Sequence, residues 1–169
     1  MRIIYFFILF FISKNVFAGG FINFGAMYLK QHDKSFEIKN KLVPTASIGY
    51  FIKLNNISVS AQTNRIFNLV NKEFVRNKKN NQIYELKSRT TVDSLATGYF
   101  FKNINPAIFI SNVRLEQTIN QRQIKHSFIF GLNINYFFAK NISVASAIVA
   151  PNKKLGLTTA GLLTFNYFF

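Results

Sequence analysis

His126-Ser127-Phe128-Ile129-Phe130-Gly131-Leu132-Asn133-Ile134-Asn135-Tyr136-Phe137-Phe138 alternates along its whole length. His126, Phe128, Phe130, Leu132, Ile134, Tyr136 and Phe138 fall on one parity; Ser127, Ile129, Gly131, Asn133, Asn135 and Phe137 fall on the other. Successive side chains of a β-strand point to opposite faces of the sheet. One face of this strand is therefore a wall of large apolar and aromatic groups, and the opposite face is mostly small or polar. Strands that cross a bilayer carry this pattern with the apolar face toward lipid.

The segment's ending recurs. Tyr50-Phe51-Ile52, Tyr99-Phe100-Phe101, Tyr136-Phe137-Phe138 and Tyr167-Phe168-Phe169 are versions of one tripeptide. The first three precede a short polar turn and a new apolar start, at Asn56-Ile57, Asn103-Ile104 and Asn141-Ile142. Paired aromatics at strand ends, next to short turns, match the girdle at the membrane–water boundary of a transmembrane barrel. In total 21 Phe and 7 Tyr occur in 169 residues, more aromatic surface than so small a core could bury, and lipid can accept the excess.

Counting back by twos from each aromatic end assigns the faces. On the last strand Leu157, Thr159, Gly161, Leu163, Phe165, Tyr167 and Phe169 face lipid, and Thr158, Ala160, Leu162, Thr164, Asn166 and Phe168 face inward. Leu42, Pro44, Ala46, Ile48, Tyr50 and Ile52 oppose Val43, Thr45, Ser47, Gly49 and Phe51. Ile57, Val59, Ala61 and Thr63 oppose Ser58, Ser60, Gln62 and Asn64; Ile142, Val144, Ser146 and Ile148 oppose Ser143, Ala145, Ala147 and Val149. Ile104, Ile108 and Ile110 fall outside, as do Ile22, Phe24, Ala26 and Tyr28 of the opening strand. The pattern predicts an all-β fold: an eight-stranded antiparallel up-and-down transmembrane β-barrel.

The N-terminus predicts export. Met1-Arg2, the apolar run Ile3 to Ile12 and Val16-Phe17-Ala18 have the three parts of a secretory signal peptide. The apolar run is too short for a spanning helix, which needs about 20 residues. The expected division is a signal peptide over 1–18, cleaved after Ala18, and an outer-membrane barrel domain over 19–169. Loss of Arg2 and Lys14 lowers the formal charge of +15 by two. With no Cys there is no disulfide framework, thiolate metal site or thiol nucleophile.

The interval between Tyr50 and Tyr99 is the longest and leaves the largest far-side loop, around Phe67 to Leu86. It gathers Lys72, Arg76, Lys78 and Lys79, the candidate binding patch, beside Asn77, Asn80 and Asn81. Lys30–Lys41, Thr118–Gln123 and Pro151–Leu155 supply the other loops. Most charge therefore faces the outside of the cell.

Signal peptide, eight strands, short turns on one side, longer loops on the other and the terminal Phe169 resemble the small outer-membrane barrels of the OmpA, OmpX and Opa type, here without a periplasmic domain. The resemblance is architectural and covers the whole mature chain. It implies residence in the Gram-negative cell outer membrane and a last strand read by the barrel assembly machinery, with Leu163, Phe165, Tyr167 and Phe169 as the matching assembly signal. It carries no functional residue.

Three activities follow from this frame. Basic loops attract anionic partners: the sugar–phosphate layer of the outer leaflet, a host-surface polysaccharide or a host protein. The expected role is envelope structure or surface interaction and adhesion. A narrow porin-like channel is the alternative, although eight strands enclose a space that side chains can fill. A lipid-modifying outer-membrane enzyme would need a nucleophile, base and acid together. His126 and Ser127 are adjacent in one strand and point to opposite faces, and His32-Asp33 reads as a loop pair. The expectation is therefore no enzyme, no catalytic or metal residue and no cofactor. Nucleic acid is a poor partner for loops that lack interleaved aromatics. A secreted lipocalin-like barrel has similar alternation with the faces reversed; the girdle repeats argue against it.

Overall fold

The computed structural model describes residues 16–31, 33, 35–38, 41–65, 70–119 and 121–169. The sequence-predicted signal peptide lies mostly outside them. The strands are β1 (Val16–Gln31), β2 (Phe36–Glu37), β3 (Lys41–Leu54), β4 (Ile57–Thr63), β5 (Val70–Asn77), β6 (Ile83–Tyr99), β7 (Ile104–Thr118), β8 (Arg122–Ala139), β9 (Ile142–Val149) and β10 (Leu157–Phe168). Eight of them form a closed antiparallel ring in the order β1-β3-β4-β6-β7-β8-β9-β10, with β10 returning to β1. β5 continues the line of β4 above the ring and pairs with the upper half of β6, and β2 adds to its free edge.

Tight turns on one side follow from local chemistry. Asn55 and Lys102 adopt the left-handed region at φ 53 and φ 55, which two-residue hairpin turns require and which Asn tolerates best. The pair Phe101 and Ile104 closes its turn with reciprocal backbone bonds of 2.8 and 3.0 Å.

Register confirms the outward sets of β7 and β8. Ile108 pairs with Thr97 and Leu132, and Ile110 pairs with Leu95 and Phe130. On β8 every outward residue from Phe128 to Phe138 is exposed. At about 3.3 Å per residue and a tilt of about 40°, that stretch spans about 25 Å, the height of a lipid-facing apolar band. No helix among the described residues is long and apolar enough to cross a membrane.

Two expectations change. The segment expected as a loop from Phe67 to Leu86 is largely an ordered hairpin: β5, a turn through Asn81, and the start of β6. Its cross-strand ladder supplies the backbone hydrogen bonds that a long loop would have left to water. Leu157, expected on the lipid face, points inward and is buried beside Leu29, Val43, Val149 and Leu155. A register shift between Lys30 and Gln31, opposite Thr159 and Leu157, resets the alternation there.

The interior is layered. At the turn end, Phe51, Phe100, Phe137 and Phe168, the middle residues of the four tripeptides, converge with Phe21. Phe51 lies at their centre, with ring centroids 5.5 Å from Phe168, 6.1 Å from Phe100 and 6.3 Å from Phe137. Above them is a polar belt of Asn23, Ser58, Gln62, Ser94, Asn105, Ser111, Ser143 and Asn166. Its members pair internally: Asn105 Nδ2 donates to Ser58 Oγ at 2.9 Å, Asn166 Nδ2 to Ser143 Oγ at 2.9 Å, Asn23 Nδ2 to Gln62 Oε1 at 3.0 Å, and the hydroxyls of Ser94 and Ser111 lie 2.6 Å apart. An aliphatic cluster containing Val113, Leu115, Val149 and Leu157 fills the loop end. A cavity of about 160 Å³ remains between the two apolar layers.

Candidate functional site

The cationic patch expected from the sequence lies on the projecting hairpin. Lys72 and Arg76 sit on the outward face of β5, and Lys78 and Lys79 sit in the turn that follows. Lys72 pairs directly with Lys87 of β6, so two ammonium side chains share one face. Like charges directly opposite each other destabilise a strand pair. Compensation is partial: Lys87 lies 3.8 Å from Glu85, and Glu37 of β2 pairs with Arg76. Among the described residues on this outward face, five cations stand against the two carboxylates of Glu85 and Glu37.

The same face is also apolar. Phe74 is 79% exposed, between Lys72 and Arg76, and Ile83 and Val70 are exposed beside it. The hairpin is held in place from behind. Val75 and Leu86 are each 1% exposed, Phe36 meets Tyr84 edge-on at 5.9 Å, and Lys78 Nζ donates to the Asp33 carbonyl at 2.8 Å. Asp33 Oδ1 in turn accepts from the Ser35 and Phe36 amides. His32, of the expected His32-Asp33 loop pair, lies outside the described residues.

A second cluster was not apparent in the sequence. On the outer wall, directly above the apolar band, Arg65, Arg89, Thr91, Asp93, Asn112, Arg114 and His126 line a depression of about 220 Å³. Cross-strand register assembles it: Arg114 pairs with Thr91 on one side and His126 on the other, and Glu116 pairs with Arg89. Arg65 binds Asp93 through both carboxylate oxygens, and Thr63 Oγ1 donates to Asp93 at 2.7 Å. Arg122 Nε donates to Glu116 at 2.8 Å, with Arg114 at 3.7 Å from the same carboxylate. The hydrogen bond from Arg122, aided by the charges of Arg122, Arg114 and Arg89, holds the Glu116 carboxyl below its ordinary range.

His126 and Ser127 separate as expected. His126 joins the outer cluster, whereas Ser127 Oγ accepts from Asn152 Nδ2 at 3.0 Å. No group of three or more His, Cys, Asp or Glu side chains suited to a metal occurs among the described residues. On β10, Leu163, Phe165, Tyr167 and Phe169 form one exposed stripe. Phe138 lies 6.2 Å from Phe165 across it.

No protein-family model matches the sequence, and neither does any curated protein. Solved structures do match in shape. Ail, the attachment invasion locus protein of Yersinia pestis, aligns with a TM-score of 0.57 and 7% identity over 89% of this chain and 96% of that chain, in a complex with the heparin analogue sucrose octasulfate. A second structure of Ail gives 0.53 at 8% identity over 89% of this chain and 96% of that one. Neisserial surface protein A aligns at 0.52 and 9% identity, over 92% of this chain and 100% of that chain. The fold is that of a small outer-membrane β-barrel. At these identities the likeness concerns the barrel architecture, and no side chain is transferred from one protein to another.

Proposed function

We propose that this barrel resides in the outer membrane and binds anionic surface polymers through its projecting hairpin. The observation that carries this reading is the juxtaposition of Lys72 with Lys87, flanked by Arg76, Lys78 and Lys79. Sulfate or carboxylate groups on a polymer would relieve that repulsion, and exposed Phe74 offers an apolar face for a sugar ring. Long-range attraction by such a patch raises the encounter rate and weakens with salt. Ail in complex with a polysulfated sugar provides a precedent on the same architecture. The aromatic layer across the turn end disfavours the porin-like reading, and the reading adopted here involves no catalytic step or cofactor.

Two further parts of the proposal concern biogenesis. Residues 1–18 act as the signal peptide, and the stripe Leu163, Phe165, Tyr167 and Phe169 is the surface engaged by the assembly machinery.

The test compares refolded wild type with the variant Lys72→Ser, Arg76→Ser, Lys78→Ser, Lys79→Ser on heparin and on host-cell surfaces, across a salt series. Wild type is expected to bind at low salt and release as salt rises; the variant is expected to lose binding while keeping its heat-modifiable gel migration. Equal binding by the two proteins would overturn the hairpin as the site. Absence of binding in both would leave a structural envelope barrel.

A further inference from the structure

We propose that the outer-wall cluster of Arg65, Arg89, Arg114, Arg122 and His126 is a binding site for the phosphate of a glycolipid headgroup in the surrounding outer leaflet. The site adjoins the base of the hairpin, where Arg89 pairs with Val70 of β5, but it lies lower on the wall than the Lys72–Lys79 patch, and its partner is the membrane itself.

Height is the first argument. Asn112 pairs with Phe128, the last member of the apolar band, and Arg114 pairs with His126 one step higher. Outward residues along a strand are separated by about 6.6 Å. The guanidinium groups thus begin at the level where acyl chains give way to headgroups. A site meant for a soluble anion has no physical reason to lie on the lipid-facing wall at that boundary.

Charge is the second. Charged groups beside hydrocarbon are costly unless they are paired. Among the described residues four guanidinium groups meet two carboxylates here, those of Asp93 and Glu116, and His126 adds ring nitrogens to the same surface. Arg65 and Arg122 are engaged by those carboxylates. Arg89 lies across from Glu116 and feels its charge, but its Nε is buried and donates to no acceptor among the described residues. Buried donors in folded proteins are normally satisfied. A phosphate in the depression, accepting from the guanidinium groups of Arg89 and Arg114 that line it, would balance the excess charge.

Chemistry is the third. Every strong cation in the cluster is Arg, whereas the hairpin patch is mostly Lys. The planar guanidinium matches phosphate oxygens in a bidentate manner, and it is less strongly hydrated than an ammonium group. Asn112 and Thr91 add neutral polar groups suited to the sugar that carries the phosphate.

The experiment immobilises the refolded barrel in neutral detergent and titrates bisphosphorylated lipid A, its dephosphorylated form, and inorganic pyrophosphate as a competitor. Wild type is expected to bind the phosphorylated lipid about tenfold or more tightly than the dephosphorylated one. The variant Arg89→Gln, Arg114→Gln should lose that preference, and the four-residue hairpin variant should retain it. Pyrophosphate in tenfold excess should not displace the lipid. Equal binding of the two lipids by wild type would overturn the proposal, and this comparison stands even if the arginine variant fails to fold. Loss of the preference in the hairpin variant would move the site to the hairpin and overturn it too. Efficient displacement by pyrophosphate would overturn the lipid assignment in favour of a soluble phosphate ligand.

Discussion

Replacing Phe51 with Ala removes the ring at the centre of the aromatic layer. Phe51 is 6% exposed, and it touches Phe100, Phe137 and Phe168 at centroid distances of 5.5 to 6.3 Å. Loss of about 150 Å² of buried apolar area at about 25 cal/mol per Å² costs about 4 kcal/mol. That agrees with the range of about 3–5 kcal/mol for Phe→Ala at packed sites. Neighbouring rings cannot close the gap, because each is fixed to a different strand of the ring. The assay is reversible urea unfolding of the refolded barrel in lipid vesicles, followed by Tyr fluorescence and protease protection. Phe51→Leu, which refills most of the space, should recover at least half of the loss. Ionic conductance in a planar bilayer should stay at baseline in Phe51→Ala, since the aliphatic cluster at the loop end remains. A stability change below about 1 kcal/mol, well under the packed-site range, would show that the rings do not form a packed layer. The account of the lumen as a core would then fail.

Two other substitutions probe the same interior. Asn105 is 2% exposed and donates to Ser58 at 2.9 Å; Asn105→Ala strands the Ser58 hydroxyl and should cost about 1–3 kcal/mol in the same unfolding assay, whereas an unchanged midpoint would mean that water already serves the belt. Gly25 lies at the β1–β10 seam, where an added Cβ would sit 2.0 Å from the Leu163 carbonyl oxygen. Gly25→Ala should therefore destabilise by about 1–3 kcal/mol through overpacking and reduce the heat-stable compact band on gels; Gly161→Ala on the same seam, whose Cβ would meet nothing closer than 3.8 Å, should be silent.

Outward faces were legible because lipid imposes a strict period of two on them. Ile57 to Thr63, Phe128 to Phe138 and Leu163 to Phe169 all fall where counting places them. Counting fails where its physical cause stops. Above the band, β5 and the start of β6 meet solvent on one face, so their Lys- and Asn-rich sequence loses the apolar alternation and reads as a loop. At Leu157 the register shift breaks the count by one. The arginine cluster was hidden for another reason: its members are spread from Arg65 to His126, and only cross-strand register brings them together. One signal was available, since the outward series of β7 changes from Ile108 and Ile110 to Asn112, Arg114 and Glu116, marking the end of the hydrocarbon layer on that strand.

The four aromatic tripeptides satisfy two environments with one motif. Because strand parity alternates, Tyr50, Tyr99, Tyr136 and Tyr167 face the membrane boundary, while the Phe that follows each one turns into the barrel. Every strand pair that contributes to the girdle thereby contributes one ring to the inner layer, so closing the barrel and sealing its turn end are the same event. The polar belt above is spent on internal pairs, Asn105 with Ser58 and Asn166 with Ser143 among them. Groups already paired inside a sealed core are poorly placed to recognise a passing solute. Among the described residues the charged groups with unmet demand, Lys72 beside Lys87 and the Arg89 guanidinium, lie on the outer surfaces, and the unsatisfied group facing the interior cavity, Thr45 Oγ1, is a neutral hydroxyl. Recognition by this barrel is therefore to be sought on its outer surfaces, with polymer on the hairpin and lipid phosphate on the wall.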